Sequence, residues 1–164
     1  VNYFDPFNPP KIEAKNGMKI ETNLPAHGGN MDIFAIDGNL KTRFWSSRAL
    51  EENDHLTVTF PKAAPKSLTI KALTGATDGG QDILEHGVLE AKTGDGDWKE
   101  IAAFAKGTAS GAAPKGTTQI RIRVTKGQGN WLIIRIHYSP STLSVFCCCV
   151  TIECHFRKQI LHFL

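Results

Sequence analysis

The sequence predicts an all-β protein, an antiparallel β-sandwich, on three observations. Apolar and polar residues alternate with a period of two over several short stretches, the pattern of half-buried strands. Glycine, proline, asparagine and aspartate separate those stretches as turn formers. No stretch carries a convincing amphipathic helical stripe, and no repeat of fixed period appears. At 164 residues, 41% hydrophobic and 21% charged, the chain suits one folded domain with a real core rather than a disordered segment.

Residues 1–16 hold Pro6, Pro9 and Pro10 among Asn, Asp and Lys, and read as an extended lead-in or linker. Residues 17–140 read as the sandwich. Met18 to Asn23 alternates as a first strand, and Leu24-Pro25-Ala26-His27-Gly28-Gly29-Asn30 is a loop. Asp32 to Ile36 reads as a short turn of helix. His55 to Phe60, with Leu56, Val58 and Phe60 on one face, is the cleanest strand, bounded by Pro61 and Pro65. Ser67 to Leu73 repeats the alternation, with Leu68, Ile70 and Ala72 inward. Thr74 to Asp82 is a polar Gly-rich loop, Gly87 to Lys92 a strand, and Gly94-Asp95-Gly96-Asp97 a hairpin turn toward Trp98 and Ile101 to Phe104. Residues 106–118, rich in Gly, Ala, Thr and Ser, read as an exposed loop. Ile120, Ile122 and Val124 face one way, Arg121 and Arg123 the other. Trp131 to Ile136 reads as the last core strand. Trp45, Trp98 and Trp131 read as core plugs, leaving no aromatic side chain on a loop.

The densest stretch runs from Ile36 to Ser47. Asp37-Gly38-Asn39 is strong turn chemistry, because Gly and Asn tolerate φ > 0 and Asx side chains bond nearby backbone. Asp37, Asn39 and Thr42 are hard oxygen donors of the kind Ca²⁺ prefers, and Trp45 is a large apolar anchor. The stretch reads either as a metal-holding loop or as a corner tied by hydrogen bonds.

Ile36-Asp37-Gly38-Asn39 followed by Thr42 and Trp45 resembles the signature loop of discoidin-like domains, the coagulation-factor type C and galactose-binding-like group that includes family 32 carbohydrate-binding modules. Val88 to Trp98, Gln119 to Val124 and Asn130 to Arg135 fit the same group in the same order, so the resemblance spans about residue 17 to Arg135. It implies a jelly-roll sandwich of the galactose-binding-like type. Phe44-Trp45-Ser46-Ser47 and Trp131-Leu132-Ile133-Ile134-Arg135 look most like copies appended to bacterial glycosidases acting on N-acetylhexosamines. The group often carries a structural Ca²⁺ on this Asp, this Thr and nearby carbonyls, completed by a Glu after the last motif. Ile136 stands at that place here, so the implied site lacks a ligand.

The resemblance implies a non-catalytic accessory module, extracellular or periplasmic, binding a glycan and covalently linked to the catalytic domain of a parent enzyme. The alternatives are a structural spacer without ligand and an adhesion module for a protein or lipid surface. Sugars are held by an aromatic face and by hydrogen bonds to hydroxyls, and loops on a rigid scaffold are where recognition sits. The candidates are His27 and Asn30 in the first loop, Arg48 after the tryptophan, Asp78, Gln81 and Asp82 in the third, and Gln128 with Asn130 in the last. Ser46 and Ser47 follow Trp45, and residues 74–87 hold no arginine, so the galactose pattern of the group is not met.

Other classes find little support. A net charge of +3 with scattered Lys and Arg gives no basic stripe, which speaks against nucleic acid. No nucleophile elbow, His-Glu-x-x-His or phosphate loop is present, and His27, His55 and His86 stand apart. The chain opens at Val1 without methionine or leader pattern, which reads as a fragment or processed product. Residues 141–164 differ in kind, apolar and holding Cys147, Cys148, Cys149 and Cys154 beside His155 in no zinc-module spacing. Lipid attachment at that cluster is a second reading. The longest uncharged run, Ile136 to Ile152, has 17 residues, short of the roughly 20 a spanning helix needs. The native reading is expected to stop near Arg135.

Overall fold

The computed structural model describes residues 17–39, 41–76 and 80–141. Nine strands among them form two antiparallel sheets. One sheet holds β1 (Lys19–Thr22), β3 (His55–Thr59), β8 (Thr117–Val124), β5 (Gly87–Thr93) and β6 (Lys99–Ala103), side by side in that order. The other holds β2 (Phe44–Trp45), β9 (Ile133–Pro140), β4 (Leu68–Thr74) and β7 (Thr108–Ala113). A 3₁₀ turn at Asp32–Ala35 leads into the Asp37 corner.

The period of two does what it predicts. Leu56 and Val58 pair across β3 and β8 with Ile122 and Ile120, and Leu89 and Ala91 continue the row on β5. From the facing sheet, Phe44, Ile70, Ala72, Ile134 and Ile136 close the core, each 3% exposed or less. The β5–β6 hairpin turns at Gly94, whose φ of +54° suits glycine, and the Gly96 amide donates to the Thr93 carbonyl.

Three expectations change. Residues 106–118 are not an exposed loop: Thr108–Ala113 is the edge strand β7, paired along its length with β4, and Ala109 and Ala113 are buried. Its small residues have a steric cause, because a Cβ on Gly111 would meet the Ile101 carbonyl oxygen of β6 at 2.4 Å. The edges of the two sheets meet there, and only small side chains let them.

The last strand begins later and ends later than expected. Trp131 and Leu132 precede it, and Ile136 to Pro140 continue it against Ala72 to Leu68 of β4. Ile136 is buried in the core, while the exposed Tyr138 packs edge-on to Phe60 at 5.8 Å. The cysteine-rich stretch lies outside the described residues.

None of the three tryptophans is a core plug; each is half-buried at the surface. Trp98 lies against the outer side of the five-stranded sheet, with the Arg121 guanidinium 4.2 Å from its ring centroid. Arg121 and Arg123 are not a free cationic face either. Arg121 Nε donates to Glu90 at 2.7 Å and Arg123 Nη2 at 3.0 Å, across neighbouring strands β8 and β5.

Candidate functional site

One end of the sandwich gathers the connection from β1 to the 3₁₀ turn, β2, and the connections β4–β5 and β8–β9. Backbone hydrogen bonds fix them to one another. The His27 amide donates to the Trp45 carbonyl at 2.7 Å, and the Trp45 amide to the Asn30 carbonyl at 3.2 Å. Ser46, fully buried, donates its amide to the Leu132 carbonyl and accepts the Leu132 amide on Oγ, both at 2.9 Å.

These ties bring together three rings from three separate segments. The ring of His27 lies 4.5 Å from Trp45 and 4.9 Å from Trp131, and the two indoles are 5.6 Å apart, centroid to centroid. All three residues are half-buried, so the cluster presents apolar ring surface at the sandwich end. No hydrogen bond from the described residues engages the His27 ring nitrogens. The Arg43 guanidinium lies 5.8 Å from the Trp45 ring centroid, within cation–π reach.

Of the sequence candidates, His27 and Asn30 belong to this cluster. The Asn30 carboxamide donates to the His27 carbonyl and shapes the first loop. Gln128 and Asn130 direct their carboxamides inward. Gln128 Oε1 accepts the Glu85 and His86 amides, and its Nε2 donates to the Ile83 carbonyl and to Asn130 Oδ1. Asn130 Nδ2 donates to the Ile83 and Trp131 carbonyls. The pair ties the β4–β5 connection to the β8–β9 connection and thereby seats Trp131.

Arg48 is committed elsewhere. It makes a two-pronged ion pair with Asp54, both contacts at 2.7 Å. Asp54 is 2% exposed and also accepts the Glu51 amide and the Asn23 carboxamide. Burial opposes its ionisation, but the Arg48 hydrogen bond, the Glu51 amide, the Arg48 charge and Asn23 outweigh that, holding its carboxyl below the usual range. Gln81 is exposed, with its carbonyl bonded to the Ala76 amide. Asp82 is half-buried at a positive φ of 59°, and its carbonyl accepts the Ile133 amide at this same end. Asp78 lies outside the described residues.

The Asp37 corner is closed by its own hydrogen bonds. Asp37 Oδ1 accepts the Asn39 amide at 2.8 Å, Oδ2 accepts the Thr42 hydroxyl, and Asn39 Oδ1 accepts the Lys41 amide at 3.0 Å. Calcium takes six to eight oxygens. The side chains present form a hydrogen-bonded corner.

Sequence reasoning missed Trp45, Trp131 and Arg43 as surface groups. The signal for Trp131 was its place directly after Gly129-Asn130, a turn pair, before the alternation of β9 begins.

No family model matches the chain, and no curated protein does. Solved structures do. A family 32 carbohydrate-binding module from a family 31 glycoside hydrolase of Clostridium perfringens aligns with a TM-score of 0.59 at 15% identity, covering 79% of this chain and 97% of its own. The family 32 module of C. perfringens NanJ, solved with galactose, aligns at 0.54 and 22% identity, covering 74% and 93%. An F5/8 type C domain from Bacteroides fragilis aligns at 0.57 and 11% identity, covering 76% and 93%. At such identities the likeness is one of fold: the chain has the discoidin-like, galactose-binding-like β-sandwich.

Proposed function

We propose that this chain is a non-catalytic carbohydrate-binding module that holds a glycan at the loop end of the sandwich. The observation that carries the reading is the cluster of His27, Trp45 and Trp131. Sugar rings present C–H groups that pack on aromatic faces, while hydroxyls take hydrogen bonds from groups such as imidazole. Rings drawn from three segments and locked by backbone hydrogen bonds make such a surface rigid before a ligand arrives, which limits the ordering cost of binding.

A non-catalytic role accords with the state of the buried carboxyls. Asp54 and Glu90 are each locked by arginine and held ionised, whereas a glycosidic general acid needs a raised pKa. In this reading the module is an extracellular or periplasmic part of a larger glycosidase, acting on N-acetylhexosamine-containing glycans as the sequence motifs suggest. The strand directions put Gly17 and Ser141 at the end opposite the aromatic cluster, since Lys19 pairs with Thr59 and Leu68 with Pro140. A tether through residues 1–16 would leave the binding end free.

A second reading, the ligand-free spacer, is favoured by one feature of that opposite end. Met18, Phe60, Pro61, Ala64, Leu68 and Tyr138 line an apolar hollow of about 300 Å³, suited to packing on a neighbouring domain. Calorimetry with neutral mono- and oligosaccharides of N-acetylglucosamine and galactose decides between the two. Weak binding, near millimolar for a monosaccharide and lost in Trp131→Ala, supports the module. Titrations flat for every neutral and acidic glycan, with the hollow required for association with a catalytic domain, would establish the spacer.

A further inference from the structure

The four-stranded sheet carries basic residues and no acid. Strands β2, β4, β7 and β9 contain Lys71, Arg135 and His137 and not one Asp or Glu, and Arg43 stands just before β2. Ile134 and Ile136 face the core, so Arg135 and His137 lie on the sheet's other face, where Arg135 is nonetheless buried. His137 pairs with Lys71 in the register, and Arg43 directly precedes Phe44, which pairs with Ile134, the neighbour of Arg135.

Arg135 is only 7% exposed, yet no carboxylate of the described residues reaches it. Its Nη1 makes one long hydrogen bond, 3.4 Å, to the Gly75 carbonyl, and its Nε is buried with no partner among the described residues. A buried guanidinium without a counter-charge is costly. Here a second guanidinium adds to the cost: burial, and then the Arg43 charge, lower the Arg135 pKa. Arg48, Arg121 and Arg123 show how this fold otherwise treats its arginines, each paired to a buried carboxylate. Among the described residues no carboxylate pairs with Arg43 or Arg135, and Arg43 approaches the Trp45 ring to 5.8 Å.

We propose that Arg43 and Arg135 form an anion subsite that takes the carboxylate or sulfate of an acidic glycan, its sugar ring lying on the neighbouring aromatic cluster. The inference rests on the glycan-binding reading above and adds the class of glycan. Planar guanidinium groups match the oxygen pairs of carboxylate and sulfate, and the missing negative charge would come from the ligand.

The test is calorimetry on the full chain with three oligosaccharides of matched length: one neutral, one bearing uronic acids and one bearing sulfate esters. At least one acidic oligosaccharide should bind about tenfold more tightly than the neutral one, with the preference shrinking as salt rises. The acidic arm that shows it identifies carboxylate or sulfate. Arg43→Gln, at a half-exposed position where folding is not at risk, should remove the preference. Equal affinity for all three, or a preference intact in Arg43→Gln, would overturn the subsite. So would non-additive stability losses in Arg135→Gln and Asp78→Asn, which would give Arg135 a carboxylate of its own chain. Trp131→Ala reports separately: unchanged neutral affinity there would remove the aromatic platform, whatever the acidic preference does.

Discussion

Ser46 and Leu132, 86 residues apart, exchange two hydrogen bonds, Ser46 amide to Leu132 carbonyl and Leu132 amide to Ser46 Oγ. The exchange joins the residue after Trp45 to the residue after Trp131 and so sets the distance between the two indoles. Ser46→Ala strands a buried Leu132 N–H and should cost about 1–3 kcal/mol. Because the indoles shift, sugar affinity and tryptophan fluorescence should change in the folded variant as well. A variant with wild-type melting and unchanged emission would remove this lock from its organising role.

Trp131→Ala and Asn130→Ala separate contact from support. Loss of the Trp131 ring should lower glycan affinity about tenfold or more, since a stacked aromatic anchor is worth about 1–3 kcal/mol per ring in ligand recognition. Asn130 holds the Ile83 and Trp131 carbonyls, so Asn130→Ala should instead lower the melting temperature. Denaturant melts beside titrations check both; an Asn130→Ala protein of full stability that has lost binding would make the carboxamide a direct ligand.

Acid should loosen the fold through Asp54 and Glu90. Burial opposes ionisation of Glu90, but hydrogen bonds from Arg123 and Arg121 and their charges hold its carboxyl below the usual range, as Arg48 does for Asp54. A depressed folded pKa stabilises the protein above the unfolded pKa and loses that stability as pH falls through the folded value. Melting temperature should therefore be flat near neutrality and decline below about pH 4, the ordinary carboxylate range. Glu90→Gln should cost about 2 kcal/mol at pH 7 and flatten part of the acid decline. An acid limb identical in wild type and Glu90→Gln would exclude Glu90 from it.

The Asp37 corner gives the fourth prediction. Asp37→Ala removes the acceptors of the Asn39 amide and the Thr42 hydroxyl at a half-buried site, an expected loss of about 1–2 kcal/mol. The melt should not move in EDTA, because the donors present satisfy one another. A fall of several degrees on chelation, restored by Ca²⁺, would show that backbone carbonyls complete a cage.

Leu56, Val58, Ile120 and Ile122 were legible because strand alternation is local, read within five residues and independent of what the strand later meets. The Gly94–Asp97 hairpin was legible for the same reason, as turn chemistry belongs to the turn. β7 was not: Ala109, Gly111 and Ala113 are small because β6 crowds them, and that neighbour lies elsewhere in the chain. The candidate site divides in the same way. Sequence sufficed to place His27 and Asn30 on a loop, and it singled out Gln128 and Asn130 as polar groups at a turn. Only the tertiary structure decided that Gln128 and Asn130 point inward, that Arg48 meets Asp54, and that Trp45 and Trp131 pack edge-on and tilted against His27 instead of filling the core. A side chain's type is written in the sequence. The direction it faces depends on long-range pairing, here the Ser46–Leu132 exchange and the β2–β9 register, which no local pattern encodes.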